Sequence, residues 1–294
     1  MKKALVSSNL ILFAIPAMIW GSTWYAITFQ LGKVPPIYSV SYRFILAGIV
    51  FISYCLLRGI SLKFSLKQHR WILSQALFLF GFNYLFTYYS EQYIASGLVA
   101  IIFSMVIFLN VLFGRIFLKT PIKKQVLIGA SLGLIGTFLV FQPELAKVET
   151  GDETGLGVLL CIAGVVMASL GNITSAYNQK QDLPVIPTTA IGMMYGGIFM
   201  FGLALLSGNP ISFDTSSSYI ISLVYLSIIG SIVAFTAYLT LIGRIGADRA
   251  AYALVVVPVI AILISIVFED YQISLMPVLG IIILLAGNVF ALRK

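Results

Sequence analysis

The chain has 294 residues, 60% hydrophobic and only 10% charged, with a mean hydropathy of +1.03. That composition excludes an ordinary soluble domain and reads as a polytopic membrane protein. The net charge of +8 does not mark a nucleic-acid binder, because the basic residues are spread over alternate short loops.

Ten apolar runs follow one another: 9–31, 38–58, 71–90, 95–118, 123–141, 155–178, 186–207, 218–241, 248–268 and 274–292. A helix of about 20 residues crosses the hydrocarbon core. The first run follows Met1-Lys2-Lys3 but is longer than a signal-peptide core, and no soluble domain comes after it. It is therefore read as a retained helix. One set of loops and ends holds Lys2, Lys3, Arg58, Lys63, Lys67, Arg70, Arg115, Lys119, Lys123, Lys124, Lys180, Arg244, Arg249, Arg293 and Lys294, fifteen of the eighteen basic residues. The other set has only Lys33 and Lys147, and carries Glu91, Glu144, Glu149, Asp152, Glu153, Asp214, Glu269 and Asp270. The positive-inside rule then predicts ten spans with both termini cytoplasmic. The positive charge also favours contact with anionic membrane lipid.

In the first span, Trp20-Gly21-Ser22-Thr23-Trp24 puts two indoles and two hydroxyls near the midplane, with Pro16 one turn earlier. Polar groups at that depth face protein or a water-filled cavity, so the stretch is predicted to line one, with Pro16 as a bend or hinge. Packing of Gly21 and Ser22 against a neighbouring helix is the bland alternative. The second span holds Arg43, the one basic residue inside an apolar run. Three readings stay open for it: a pair with Glu91 in an outer gate, capture of a substrate carboxylate by its planar fork, or a structural arginine tied to backbone carbonyls. Between spans two and three, His69 is predicted to be a solvated loop residue.

Span three adds Asn83, Tyr84 and Tyr88, the tyrosines sharing one helix face. With Trp20 and Trp24 they suggest an aromatic-walled cavity with hydrogen-bonding tips. The later spans offer Asn172, Tyr177, Tyr195, Tyr238 and Tyr252, with Pro258 as a second hinge. Ser96 and Asp248 begin helices and are predicted to cap them. Gly129-x-x-x-Gly133 and Gly192-x-x-x-Gly196 allow close helix approach, within one subunit or across a homodimer. Cys55 and Cys161 lie in apolar runs with neither disulfide nor metal spacing.

The runs also repeat. Gly81 with Phe86-Thr87-Tyr88-Tyr89 resembles Gly230 with Phe235-Thr236-Ala237-Tyr238; Gly129 and Gly136 match Gly280 and Gly287; Trp20-Gly21-Ser22 matches Leu170-Gly171-Asn172. The offsets stay near 150 residues. Five spans per half is an odd number, so the halves, 1–145 and 146–294, are predicted to be inverted relative to each other, an architecture of secondary transporters.

Trp20-Gly21-Ser22, Tyr42-Arg43-Phe44-Ile45-Leu46-Ala47, the run from Gly133 to Thr137 and the run from Gly280 to Gly287 resemble the EamA-type members of the drug/metabolite transporter superfamily. The resemblance spans essentially the whole chain. It implies two five-helix repeats and the movement of small metabolites, commonly outward across the inner membrane. Two departures stand out. An acidic residue is usual after spans four and nine; Glu269 fills the second place, but the first reads Leu118-Lys119-Thr120. A proline is common in both spans; Pro258 is present in the second, whereas the first reads Met105-Val106, which puts a hinge in span four in doubt.

Gly32-Lys33 lacks the remainder of a phosphate-binding loop, so a nucleotide-driven pump is not expected. No acid lies in mid-membrane, which favours facilitated diffusion or exchange over proton coupling. The lone histidine and the absence of paired intramembrane aspartates argue against an enzyme. No metal or cofactor is predicted. The expectation is a carrier of small organic metabolites, amino acids or related compounds first, by alternating access in the cytoplasmic membrane. The alternatives are an exporter of drugs or sugars, or a non-transporting scaffold.

Overall fold

The computed structural model describes residues 2–122, 124–145, 153–208, 210–254, 257–269 and 275–292, and no strand occurs among them. Runs this apolar have no water to satisfy their backbone, so they close their hydrogen bonds within each segment, as helices. The first half comprises α1 (Lys2–Thr28), α2 (Pro36–Leu57), α3 (Leu66–Ala76), α4 (Asn83–Ser90), α5 (Ser96–Phe103), α6 (Val106–Leu118) and α7 (Lys124–Leu145). The second comprises α8 (Thr154–Lys180), α9 (Val185–Leu206), α10 (Ser217–Ser227), α11 (Ala234–Ile245), α12 (Ala247–Ala250), α13 (Val257–Phe268) and α14 (Leu275–Leu292). Among the described residues six rods are long and apolar enough to cross a membrane: Asn9–Thr28, Pro36–Leu57, Ser96–Leu118, Thr154–Lys180, Val185–Leu206 and Ser217–Ile245; Ser131–Val140, Val257–Phe268 and Leu275–Gly287 are shorter apolar helices.

Helix α3 starts before the predicted residue 71. Ser65 and Gln68 form a capping box there, Gln68 N–H donating to Ser65 Oγ (3.3 Å) and Ser65 N–H to Gln68 Oε1 (2.7 Å). The box makes the charged turn around Lys67 and Arg70 helical although it lies outside the apolar run.

Helices α3 and α4 are joined through a wide π-helical segment, Leu77–Phe82, and α10 and α11 through another, Ile228–Val233. The two begin 151 residues apart, as do the N-caps Ser65 and Ser216. Both rods thus carry the same local irregularity, of a kind often found at functional sites.

Close helix contacts repeat in the same register. A Cβ on Gly48 would stand 2.8 Å from the Met194 amide nitrogen, and one on Gly197 would stand 2.6 Å from that of Ile45. Adding 149 to 45 and 48 gives 194 and 197, so exchanging each residue for its counterpart returns the same two contacts. As one residue number rises its partner's falls, so α2 and α9 run antiparallel. Likewise α7 and α14 meet where a Cβ on Gly136 would be 2.6 Å from Gly280 O and one on Gly287 would be 2.7 Å from Gly129 O, with an offset of 151. Gly192 and Gly196 pack on Phe80, and Gly133 on Phe108. The small-residue patterns therefore serve contacts inside one chain.

One expectation changes here. Span four is broken despite lacking a proline: α5 stops at Phe103, Ser104 and Met105 form a turn, and α6 starts at Val106. Ser104 Oγ donates back to Ile101 O (2.6 Å), and Met105 N–H to Ile102 O (3.0 Å). This three-residue spacing tightens the turn without a ring. Span nine breaks at the matching place, where α12 and a 3-10 turn, Ala251–Leu254, precede α13. Pro258 is the second residue of α13, where its missing N–H costs nothing. Helix α1 stays helical through Pro16.

Candidate functional site

A cavity of about 70 Å³ sits where α1, α4, α5, α8, α11 and α13 converge. Its wall includes Trp20, Thr23 and Trp24 from α1, Asn83, Tyr84 and Thr87 from α4, Asn172 from α8, and Phe235 and Tyr238 from α11. Ligand pockets usually enclose about 300–1,000 Å³, so in this conformation the walls have closed in. The indoles do much of the filling. Trp20 stands edge-on to Phe235 and Tyr238 at centroid distances of 4.9 and 5.1 Å, and Trp24 lies 4.7 Å from Phe103. Trp20 Nε1–H donates to Gly230 O (3.1 Å), inside the second π segment, where the helical ladder is interrupted.

The wall retains polar capacity. Asn83 Nδ2 donates to Leu79 O (3.2 Å), and Thr87 Oγ1 to Asn83 O (2.8 Å). Asn83 Oδ1, Asn172 Oδ1 and Trp24 Nε1 are buried without a hydrogen-bond partner among the described residues. A buried polar atom left without a partner costs about 1–3 kcal/mol, so residues of the wall carry two unused acceptors and one unused donor.

The end carrying the acidic loops is tied shut between the halves. Arg43, fully buried, donates from Nε to Ser231 Oγ (3.0 Å) and from Nη1 to the Tyr88 hydroxyl (3.4 Å). Its guanidinium lies 4.4 Å from the Tyr84 ring centroid and 5.4 Å from that of Phe44, a cation–π arrangement. Gln30 Nε2 donates to Tyr219 O (2.9 Å) and Ser222 Oγ (2.5 Å), while Ser39 Oγ donates to Gln30 O (3.1 Å). Ser96 Oγ donates to Glu269 Oε2 (2.6 Å). On the surface of this end Lys33 meets Asp214 at 3.4 Å. The backbone N–H of Ser216 holds the Asp214 carboxyl below the usual range, its hydroxyl and Lys33 adding to the effect.

The end carrying the basic loops is different. A vestibule of about 290 Å³ opens there among Asn110, Gly114, Thr120, Gln179, Lys180 and Gly246. Between vestibule and cavity stands a polar cluster. Asn110 Oδ1 accepts from Ser169 Oγ (2.8 Å) and Asn172 Nδ2 (3.4 Å), and Asn172 Nδ2 also lies 3.5 Å from the Tyr238 hydroxyl.

Of the residues singled out in the sequence, Trp20, Thr23, Trp24, Asn83, Tyr84, Asn172 and Tyr238 meet at the cavity. Ser22 faces the other way, its hydroxyl 2.7 Å from that of Tyr225, because position 22 lies on the α10 side of α1. Tyr88 is one turn beyond the cavity and holds Arg43. Tyr195 is apart from it, its hydroxyl 3.0 Å from His69 Nδ1, and Tyr177 packs on Trp71 at 4.5 Å. His69 is accordingly part-buried rather than solvated, drawn in by Tyr195 and the Phe64 ring. No ion pair within 4.0 Å joins Arg43 to Glu91; Glu91 is buried in the turn after α4, both carboxylate oxygens without a hydrogen-bond partner among the described residues. Ser96 is the first residue of α5 rather than its cap, and its hydroxyl crosses to Glu269 instead. The side chains of Asp248 and Tyr252 lie outside those described. Asn110, Ser169, Ser231 and Gln30 were not singled out. The available signal was a lone amide in an otherwise apolar span for Asn110, and an i, i+3 pair with Asn172 for Ser169.

A helical bundle, apolar outside, in which α2 and α9 run antiparallel, with a polar-tipped cavity tied off at one end and a vestibule at the other, is the build of a membrane transporter. The chain belongs to the EamA-like transporter family, whose model matches twice, over residues 7–142 and 155–293. It is similar to the inner membrane transporter YedA of Escherichia coli (strain K12), itself described as uncharacterized, at 29% identity over 258 residues, covering 86% of this chain and 80% of YedA. Protein PagO of Salmonella typhimurium is 23% identical over 287 residues, 98% of this chain and 92% of PagO. A crystal structure with 20% identity superposes with a TM-score of 0.72 over 97% of this chain and 96% of its own, which shows the shared fold.

Proposed function

We propose that the protein is a secondary carrier of small organic metabolites in the cytoplasmic membrane, moving them outward by alternating access. In this reading ten spans form two inverted halves, 1–145 and 146–294, with both termini cytoplasmic. The loop charges support that orientation, and the similarity to YedA, described as an inner membrane transporter, supports the location.

The observation that carries the reading is the cavity between the halves, with an aromatic wall, two unpartnered amide oxygens and one unpartnered indole N–H. An amphipathic amine or amino acid matches this set. Its ammonium would donate to Asn83 Oδ1 and Asn172 Oδ1, a carboxylate would accept from Trp24 Nε1, and its apolar part would lie among the rings. Ties at the acidic-loop end and the Asn110 layer at the basic-loop end make this conformation an occluded one, with the vestibule on the cytoplasmic side. Opening requires breaking the contacts of Arg43, Gln30 and Ser96 between the halves.

The test is counterflow in proteoliposomes loaded in turn with members of a metabolite panel. Saturable, trans-stimulated exchange of an amine or amino acid is expected, lost in the double variant Asn83→Leu with Asn172→Leu. Exchange of sugars alone would overturn the substrate class; no exchange with any panel member would overturn the carrier reading.

A further inference from the structure

The vestibule and the central cavity are separated by one layer of side chains, and that layer is held by one residue. Asn110 lines the vestibule; Asn172 and Tyr238 line the cavity. Asn110 Oδ1 receives both Ser169 Oγ–H and an Asn172 N–H, and Asn110 Nδ2 donates to Ala247 O (3.4 Å) at the start of α12. A single amide on α6 therefore ties α6 to α8 and to the break in span nine. It is 1% exposed, so these bonds form out of water, where losing them is costly.

Helix α6 is separate from α5. Its first turn follows the Ser104–Met105 break, and Asn110 sits about one and a half helical turns further on. Gly114, Leu118 and Thr120 on the same stretch line the vestibule. The matching residue of the other half, 151 positions on, is Ala261, which has no polar group to make such a tie.

We propose that Asn110 is the latch of the cytoplasmic gate: α6 swings on the Ser104–Met105 hinge, and the cavity opens to the vestibule when Asn110 leaves Ser169 and Asn172. Asn110 acts here as a positioning residue. Its bond to Asn172 Nδ2 also fixes that amide so that its oxygen is the atom left without a partner. The inference rests on the carrier reading above but is tested without a substrate.

A reporter cysteine at Ala100, a cavity-wall residue, is introduced with Cys55 and Cys161 replaced by Ser. It is labelled with a membrane-impermeant methanethiosulfonate in inside-out vesicles, which present the basic-loop face, and in right-side-out vesicles. Asn110→Ala is expected to raise the labelling rate at least tenfold from the basic-loop face and leave it within about twofold from the other. Ser169→Ala, which removes one of the two bonds to Asn110 Oδ1, should give a smaller rise on the same side, and Asn110→Asp, which keeps that acceptor but sets an oxygen where Ala247 O accepts an N–H, should also give a rise on that side, smaller than that of Asn110→Ala. An unchanged rate in Asn110→Ala would overturn the latch, as would a rise from both faces, which signals general loosening. Absence of labelling from the basic-loop face in every variant would overturn the route itself. If exchange in proteoliposomes persists while the latch test fails, the carrier reading stands and the assignment of Asn110 falls.

Discussion

The two halves of the chain share a scaffold but fill equivalent slots with opposite chemistry. Arg43 on α2 packs against Ser231 in the second π segment. Its counterpart, 149 residues on, is Gly192 on α9; the counterpart of Ser231, 151 residues back, is Phe80 in the first π segment; and a Cβ on Gly192 would stand 3.2 Å from the Phe80 ring. One slot is filled from the α2 side by a guanidinium facing a small hydroxyl. The other is filled from the π-segment side by a phenyl ring facing a glycine. The helix spacing is thus conserved by swapping which partner is large. The difference lies in what each filler can do when the helices part: a guanidinium can exchange protein acceptors for water, whereas a phenyl ring only loses contact. Under the carrier reading the acidic-loop end is the one expected to break and re-form, and the Phe80 slot the one expected to stay packed.

The shared scaffold predicts the largest effects, and predicts them in pairs. Gly136→Leu places a side chain against the backbone of α14, and Gly287→Leu, at the counterpart position 151 residues on, places one against the backbone of α7. Backbone cannot move aside as a flexible side chain can, so each should cost about 3 kcal/mol or more, the upper range of overpacking. Yield of monodisperse protein in detergent checks this. A severe loss in one variant with little in the other would break the reciprocal relation between the halves.

The slots should separate stability from transport. Arg43→Met removes the contacts to Ser231 and Tyr88 but fills the space with apolar volume, a replacement that often costs little stability. Exchange in proteoliposomes should fall at least tenfold while thermal stability in detergent changes modestly. Phe80→Leu should do the reverse, lowering stability by about 1–2 kcal/mol as a partial loss of buried volume and preserving exchange. Equal transport defects in both would erase the proposed contrast.

Glu91 sharpens the account of Arg43. If the two formed the closing pair, Glu91→Gln would loosen the acidic-loop end. The carboxylate oxygens have no hydrogen-bond partner among the described residues, and an uncompensated buried charge is unfavourable. Glu91→Gln is therefore expected to leave the melting temperature unchanged or raise it, while Arg43→Gln lowers it. A fall with Glu91→Gln as large as that with Arg43→Gln would restore the ion pair.

These contrasts also explain what the sequence could disclose. Gly81 and Gly230 were visible as repeat anchors, and the Trp20–Trp24 stretch as a polar patch at midplane depth, because composition and spacing carry that information. The π segments around those glycines were not, since an extra residue in a turn leaves the apolar run intact. The break at Ser104–Met105 was obscured for a similar reason: it is made by backbone and hydroxyl bonds, with no proline to announce it. Ser22 and Tyr195 were grouped with the cavity from depth alone; which side of a helix faces inward depends on how the helices pack. Ser231 matters only because Arg43 reaches it from 188 residues away.

The smallest expected effect compares the two N-caps, Ser65 of α3 and Ser216 of α10. Each needs a partner for its own backbone N–H. Gln68 Oε1 supplies it at the first (2.7 Å), and Asp214 Oδ1 at the second (2.9 Å). The first partner is neutral and the second titrates. Gln68→Ala should therefore lower thermal stability by roughly 0.5–1 kcal/mol, within the capping range, by the same amount at every pH. Asp214→Asn should lower it slightly and only where the native carboxylate is charged. The folded-state value of Asp214 is depressed, so its stabilisation is fully present above the unfolded value, about 3.9, and disappears as pH falls through the lower folded value. Melting curves of parent and Asp214→Asn should thus differ near neutrality and converge in acid. Added salt should narrow the neutral difference only in part, because Lys33 is screened whereas the hydrogen bonds from Ser216 are not. A difference that stays constant into acid would mean that Asp214 acts through its shape alone, and the two caps would then be equivalent.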